Sequence, residues 1–194
     1  MNKDRTKLLA LLAHIQPLDS TEQLVATQAA EWVRSEAELY RLDYAGRPDP
    51  HLVVYCVLID QHRKQILLMD HIKSGLWLPT GGHVEPEEDP RGAVLREMAE
   101  ELGVSILQAA IPAAAPLFVT STRVRGEHEH TDVSLWYVVH ADATVTISPD
   151  PAEFRGYRWI DFDEVAEMKP STLDVAMERF MRKLTAAWGN YSDA

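Results

Sequence analysis

The chain has 194 residues, of which 46% are hydrophobic and 25% charged, with 9 Gly and 11 Pro. This composition excludes collagen-like, disulfide-stapled and wholly disordered architectures and suffices for one sizeable core. The 30 acidic and 19 basic side chains leave a net charge of −11, a field that repels polyanions and disfavours general nucleic-acid binding, so a phosphorylated substrate needs a local cation at its site.

Residues 1 to about 40 read as helices: a short apolar one through Leu12, then a longer one from the capping box Asp19-Ser20-Thr21-Glu22 through Trp32 to Tyr40. Lys3, Arg5 and Lys7 before Leu8 to Ala13 imitate a signal peptide, but His14, Gln16 and Pro17 follow without a small-residue cleavage site. No window approaches the ~18 apolar residues of a membrane span, and a cytoplasmic location is expected. Gly46, Pro48 and Pro50 mark a linker, which predicts an N-terminal helical extension over 1–45 and a second domain over 46–194. The role of the extension is open between lidding a pocket, a homodimer contact and extra core.

Apolar runs at 51 to 59 and 65 to 69, separated by the polar turn Asp60 to Lys64, predict a hairpin. The only cysteine, Cys56, lies inside the first run, where it reads as a buried small hydrophobe and excludes an intrachain disulfide or a Cys-rich zinc site. A helix is predicted over 89 to 102, with Asp89 as N-cap, Pro90 at its first position and Gly103 just past its end. Further strands follow at 117 to 124, 132 to 140 and 154 to 160, with Ala109 to Pro116 as a connector. A last helix is predicted from Ser171, with Asp174 three residues on and Leu173, Ala176, Phe180, Leu184 and Trp188 on one face. The sum is an α/β protein with a mixed sheet and flanking helices.

The segment with the clearest chemistry runs from Gly81-Gly82-His83-Val84-Glu85-Pro86-Glu87-Glu88 into the helix that ends Arg96-Glu97-Met98-Ala99-Glu100-Glu101-Leu102-Gly103-Val104. At ~100° per residue, Val94, Leu95, Met98 and Leu102 share one stripe, while Glu97, Glu100 and Glu101 cluster on the other side. Carboxylates so spaced repel one another, and the C-terminal half of a helix disfavours negative charge. Hard divalent cations want such oxygen ligands. On the helix alone, a solvated acidic face partly neutralised by Arg96 accounts for the same residues.

The spacing before the helix adds to this. Gly82, Glu88, Arg96-Glu97, Glu100-Glu101 and Gly103, with hydrophobic Met98 and Val104, match the fixed positions of the signature of the Nudix hydrolases, which the segment closely resembles. The resemblance implies the Nudix fold, an α/β/α sandwich with a mixed β-sheet, and leaves residues 1–45 unexplained. It implies that Glu97, Glu100, Glu101 and the backbone carbonyl of Gly81 surround Mg²⁺, with Mn²⁺ as a substitute. Glu88 and Arg96 are then supporting groups, with Arg96 orienting the adjacent glutamate. The implied activity is hydrolysis of a diphosphate linkage in a small nucleoside diphosphate derivative, a nucleoside triphosphate or nucleotide sugar, with Glu97, Glu101 or a distal acid as base.

Glu153, six residues before Trp159, stands where many Nudix proteins place that distal acid; Asp132 and Glu129 compete with it, as does a plain surface role. His128, His130 and Asp132 fall on one side of an extended segment and could meet phosphate or metal, or serve structure alone. Lys73, Arg123 and Arg125 are candidate phosphate contacts against an ordinary surface role, and Trp136 or Tyr137 could stack on a base, although packing is the default. Trp136 and Tyr137, adjacent in a strand, are expected to face opposite sides, one toward the core. Two other functions stay open: a non-catalytic Nudix-type nucleotide sensor, which does not need three repelling glutamates, and an isopentenyl diphosphate isomerase, which needs a catalytic cysteine where only Cys56 is available.

Overall fold

The computed structural model describes residues 3–41, 48–103, 110–124 and 129–191. The expectations attached to Gly46, Val104, Arg125 and His128 lie outside the described residues. In chain order the elements are α1 (Lys3–His14), α2 (Ser20–Arg34), β1 (His51–Asp60), β2 (Gln65–His71), β3 (Trp77–Leu78), β4 (Thr80–His83), α3 (Pro90–Leu102), β5 (Ile111–Pro112), β6 (Phe118–Val124), β7 (His130–His140), β8 (Phe154–Asp161), α4 (Phe162–Glu167) and α5 (Met177–Tyr191). The strands run in the order β3-β2-β1-β7-β5, with β4 paired to β1, β6 to β7 and β8 to β2. The expected α/β arrangement of a sheet with helices is therefore present. Among the described residues no helix is long and apolar enough to cross a membrane. Backbone proximity divides the chain into two units, one taking residues up to Tyr55, Gly82–Val94 and Ala114–Tyr137, the other Cys56–Gly81, Leu95–Ala113 and the chain from Val138 onward.

In the first unit, Asp19 caps α2 by accepting from the Glu22 backbone N–H at 2.9 Å, and the Glu22 carboxylate reaches back to the Leu18 N–H at 2.6 Å. The helix stops at Arg34 instead of running to Tyr40. Ser35 turns extended while its N–H closes onto the Glu31 and Trp32 carbonyls, and the Leu39 carbonyl is taken by the Leu52 N–H of β1 at 2.8 Å. A backbone committed to a strand cannot continue the helical ladder. β6 and β7 form a hairpin with register from Phe118 opposite Trp136 to Val124 opposite His130. Trp136 and Tyr137 are both wholly buried, so the side of β7 away from the core-facing one is covered as well.

In the second unit, Ile59 faces Ile66 and Asp60 faces Gln65 across the β1–β2 hairpin. The buried Asp60 carboxylate closes that turn by accepting from the Arg63 and Ala143 backbone N–H groups, both at 2.9 Å, and from the Arg63 guanidinium at 2.6 Å. β8 lies antiparallel on β2 from Asp161 opposite Gln65 to Phe154 opposite His71. Four elements lie where the sequence suggested only connections: β3, β4, β5 (within the Ala/Pro stretch) and α4. The last helix starts at Met177, not Ser171. Residues 170–172 form a 3-10 turn, Leu173 bridges to Trp77, and the Asp174 N–H donates to the Trp77 carbonyl at 3.2 Å. Pairing to β3 delays the helix, whose buried face carries Met177, Phe180 and Leu184, with Trp188 edge-on to Phe162.

Candidate functional site: the carboxylate face of the third helix

Helix α3 begins where its sequence says it should, with Pro90 at the first position and Gly103 just beyond its end at φ 89°. That conformation is natural for glycine and strained for other residues. The last turn is tied to a remote segment: the Glu101 carbonyl accepts from the Asp150 N–H at 3.0 Å and the Leu102 carbonyl from the Ser148 N–H at 2.9 Å. The Asp150 carbonyl then accepts from the Glu153 and Phe154 N–H groups at 3.1 and 2.9 Å. The orphan carbonyls of the helix end therefore fix the backbone that carries Glu153.

On one side of α3, Ala93, Val94, Met98 and Leu102 are fully buried. The carboxylate side is not uniformly solvated, as an acidic surface face requires. Glu97 and Glu101 are each only 8% exposed, and Glu100 alone is open to water. Arg96 holds two of the three, with Nη1 2.7 Å from Glu97 Oε1 and 3.2 Å from Glu100 Oε2. Glu101 is met from β4, where its Oε2 accepts from the Thr80 hydroxyl and, at 3.1 Å, from the Gly81 N–H. Thr80 is a partner of Glu101 that the sequence reading missed; its only signal is its place immediately before Gly81-Gly82.

Burial raises the Glu97 carboxyl above the usual range against the opposing bond from Arg96, with Glu100 and Glu153 adding to the rise. Burial pushes Glu101 further, up to about 8; the Thr80 bond opposes the shift, and the Glu97 and Glu153 charges add to it. Glu153, exposed in its own right, is thus felt by both buried carboxylates. Cys56 is fully buried, and desolvation together with the Glu101 and Glu97 charges pushes its thiol well up. Lys73 is exposed in the turn after β2; burial lowers the neighbouring His71 imidazole, with the Glu153 charge opposing the shift and the Lys73 and Arg155 charges adding to it.

The other candidates lie in the first unit. Arg123 on β6 pairs with Asp49 at 3.3 Å and Glu129 at 3.1 Å. The His130 ring stacks on His51 with centroids 4.9 Å apart, and its Nε2 is 3.4 Å from Asp132 Oδ1. The Glu88 carboxylate accepts from the Glu85 N–H at 3.0 Å and so shapes the loop before α3.

Two desolvated, mutually repelling carboxylates give a pH prediction for the metal-free protein. Both folded pKa values lie above the unfolded value of ~4.3, so protonation of the pair supports the fold fully at low pH and that support is lost as pH rises, for Glu101 towards about 8. Burial pushes His83 down to about 4, with the His51 and Arg41 charges acting the same way, which gives the opposite slope only below the unfolded histidine value. Between about pH 6.5 and 8 the melting temperature in a chelator is therefore expected to fall, and Mg²⁺ at the upper pH to restore it. A flat thermal-melt profile, or no recovery with Mg²⁺, contradicts this account.

The NUDIX domain model matches residues 49–184 of the chain. The isopentenyl-diphosphate Delta-isomerase of Roseobacter denitrificans is 35% identical over 97 residues, 48% of this chain and 52% of that protein. The RNA pyrophosphohydrolase of Gluconacetobacter diazotrophicus is 28% identical over 107 residues, 50% of this chain and 63% of that protein. The matches with these curated relatives thus span less than two thirds of their length. Among solved structures, a NUDIX-family hydrolase from Clostridium perfringens superposes with a TM-score of 0.56 at 20% identity, over 74% of this chain and 99% of that one, a likeness of fold.

Proposed function

This chain belongs to the NUDIX family, and from that premise we propose that it hydrolyses a diphosphate linkage in a small nucleoside diphosphate derivative, a nucleoside triphosphate or nucleotide sugar. The observation that carries the reading is the burial of Glu97 and Glu101 beside Glu100, with Arg96 as the cation bonded to Glu97 and Glu100. An all-oxygen donor set of this kind fits Mg²⁺, or Mn²⁺ in its place. Glu97, Glu100, Glu101 and the Gly81 carbonyl are the proposed ligands. When bound, the ion supplies positive charge for the diphosphate and lowers the pKa of water.

The rest of the work falls to side chains. Arg96 fixes the Glu97 and Glu100 carboxylates through charge-assisted bonds and, always protonated, takes no part in proton transfer. Thr80 and the Gly81 N–H orient Glu101. A glutamate accepts the proton of the attacking water, and Glu97, Glu101 and Glu153 are the groups for that task. Lys73 is assigned to substrate phosphate. Arg123 and His130 are not, because the first is occupied by Asp49 and Glu129 and the second packs against His51 and Asp132.

A net charge of −11 favours a small substrate over a long RNA, although some relatives carry the name RNA pyrophosphohydrolase. The isomerase reading has one observation in its favour, the 35% identity to an isopentenyl-diphosphate Delta-isomerase. The chain's single cysteine, buried and with its thiol pushed up, is a poor catalytic group at neutral pH.

The test is a mass-resolved assay with Mg²⁺ over nucleoside triphosphates, nucleotide sugars, ADP-ribose, dinucleoside polyphosphates, a short 5′-triphosphorylated RNA and isopentenyl diphosphate. Turnover of a small nucleotide is the expected result. Isomerisation of isopentenyl diphosphate without hydrolysis of any nucleotide overturns the hydrolase reading. Nucleotide binding without turnover, by folded protein with either metal, transfers the assignment to a sensor.

A further inference from the structure

The first unit contains a second group of metal-ligating side chains, chemically unlike the carboxylates of α3. His51 opens β1 and is wholly buried, His83 closes β4, and His130 and Asp132 lie at the start of β7. The Val84 N–H donates to the Leu52 carbonyl at 3.1 Å, which brings the end of β4 alongside the start of β1. His51 Nε2 is 3.1 Å from His83 Nε2 and 3.0 Å from Asp132 Oδ1, and His130 Nε2 is 3.4 Å from the same oxygen. Ligand atoms of His51, His83 and Asp132 all lie within 4.8 Å of one another.

Hydrogen bonding fixes what these atoms present. His51 Nδ1 is 3.1 Å from the Pro48 carbonyl, which only accepts, so the ring carries its hydrogen there and, when neutral, a lone pair on Nε2. The Arg41 guanidinium, which only donates, is 3.2 Å from His83 Nε2, so that nitrogen is unprotonated, and its lone pair reaches a metal only when the guanidinium moves aside. Asp132 Oδ1 is buried without a hydrogen-bond partner in acceptable geometry. Two imidazole nitrogens and a carboxylate oxygen thus lie within 4.8 Å of one another, with the Arg41 guanidinium as the cation nearest to His83.

We propose that His51, His83 and Asp132, with water in the fourth position, form a site for a borderline divalent cation of the Zn²⁺ class, separate from the acidic site of α3. Zn²⁺ bonds of ~2.0–2.1 Å in a tetrahedron set ligand atoms about 3.3 Å apart; His51 Nε2 lies 3.0 Å from Asp132 Oδ1 and 3.1 Å from His83 Nε2, and all three ligand atoms are within 4.8 Å of one another. Imidazole nitrogens with one carboxylate suit Zn²⁺, whereas Mg²⁺ takes oxygen ligands. The bond from His51 Nδ1–H to a backbone carbonyl is the support that a zinc-binding histidine ordinarily has. The site cross-links the starts of β1 and β7 to the end of β4. The Asp49 carboxylate, next to Pro48, accepts from the Thr131 N–H at 2.8 Å and so ties that segment to β7 as well.

The experiment uses the full chain produced with Zn²⁺ in the medium and passed over a sizing column without chelator, with metal counted by elemental mass spectrometry. About one zinc per chain is expected, kept by Glu101→Gln and bound at least roughly tenfold more weakly by His83→Gln and by the isosteric Asp132→Asn. Wild-type protein loaded with Co²⁺ is expected to show the intense visible bands of tetrahedral nitrogen and oxygen ligation, a readout that needs no variant to fold. Absence of retained zinc together with a weak octahedral Co²⁺ spectrum overturns the proposal. So does zinc that departs with Glu101→Gln and stays with Asp132→Asn, which assigns it to α3. Loss of hydrolysis in Glu101→Gln with zinc still bound tells the two sites apart.

Discussion

Glu101→Gln is expected to lower diphosphate hydrolysis roughly 10³-fold, within the 10²–10⁴ range of a positioned acid–base group, while leaving the protein folded and, without metal, at least as stable as the wild type above neutral pH. The two halves come from the same contacts. The carboxylate accepts from the Thr80 hydroxyl and the Gly81 N–H, and a glutamine carbonyl accepts from both equally well. What the substitution removes is the charge, which the buried position disfavours strongly enough to push the carboxyl up to about 8. A group that costs stability where it sits and yet is held by two donors is explained by a ligand that needs its charge. Glu100→Gln, at an exposed position bonded to Arg96, is expected to lose less, roughly tenfold. Rates at saturating substrate and thermal melts in chelator test the pair together. A Glu101→Gln protein that keeps wild-type turnover removes α3 from the chemistry, and one that loses turnover only because it unfolds makes Glu101 a structural residue.

How far the site could be read in advance depended on how local its causes were. Helix α3 was legible to the residue, because Asp89, Pro90 and Gly103 state its beginning and end in the sequence itself. Helical periodicity also separated its apolar stripe from Glu97, Glu100 and Glu101. Periodicity cannot say what covers the second side, however, and the cover of Glu101 comes from Thr80 and Gly81 on β4, the strand that precedes the loop into α3. The link from the end of α3 to residues 148–150, which fixes the backbone of Glu153, is a backbone bond between distant segments and leaves no trace in side-chain identity. The same limit applies to the last helix, whose predicted start at Ser171 gave way to pairing between Asp174 and Trp77. His51 escaped notice altogether. Its signal was a polar residue opening a run of eight apolar ones, and its meaning needed His83 and Asp132, which the pairing of β1, β4 and β7 supplies.

Trp136→Ala is expected to cost about 3–5 kcal/mol, the range for emptying a core aromatic, and to lower the melting temperature by roughly 6–20 °C in a chain of this length. The indole is wholly buried, 4.5 Å by centroid from the Tyr55 ring and edge-on to Phe118 at 5.8 Å. Its Nε1–H donates to the Thr120 hydroxyl at 2.9 Å, and that hydroxyl, itself buried, loses its donor in the variant. Trp136→Phe keeps most of the apolar volume and is expected to cost less, about 1–3 kcal/mol. A side chain that touches a nucleobase must offer a face to solvent in the empty protein, and neither Trp136 nor its neighbour Tyr137 does so. KM for any nucleotide turned over is therefore expected to be unchanged in Trp136→Phe when measured well below its melting temperature. A tenfold rise in KM with an unaltered melting curve would reverse the assignment and make the indole part of the substrate pocket. A lowered melting curve at constant KM confines its role to the packing of β6 against β7, and leaves recognition of the base to side chains that reach solvent.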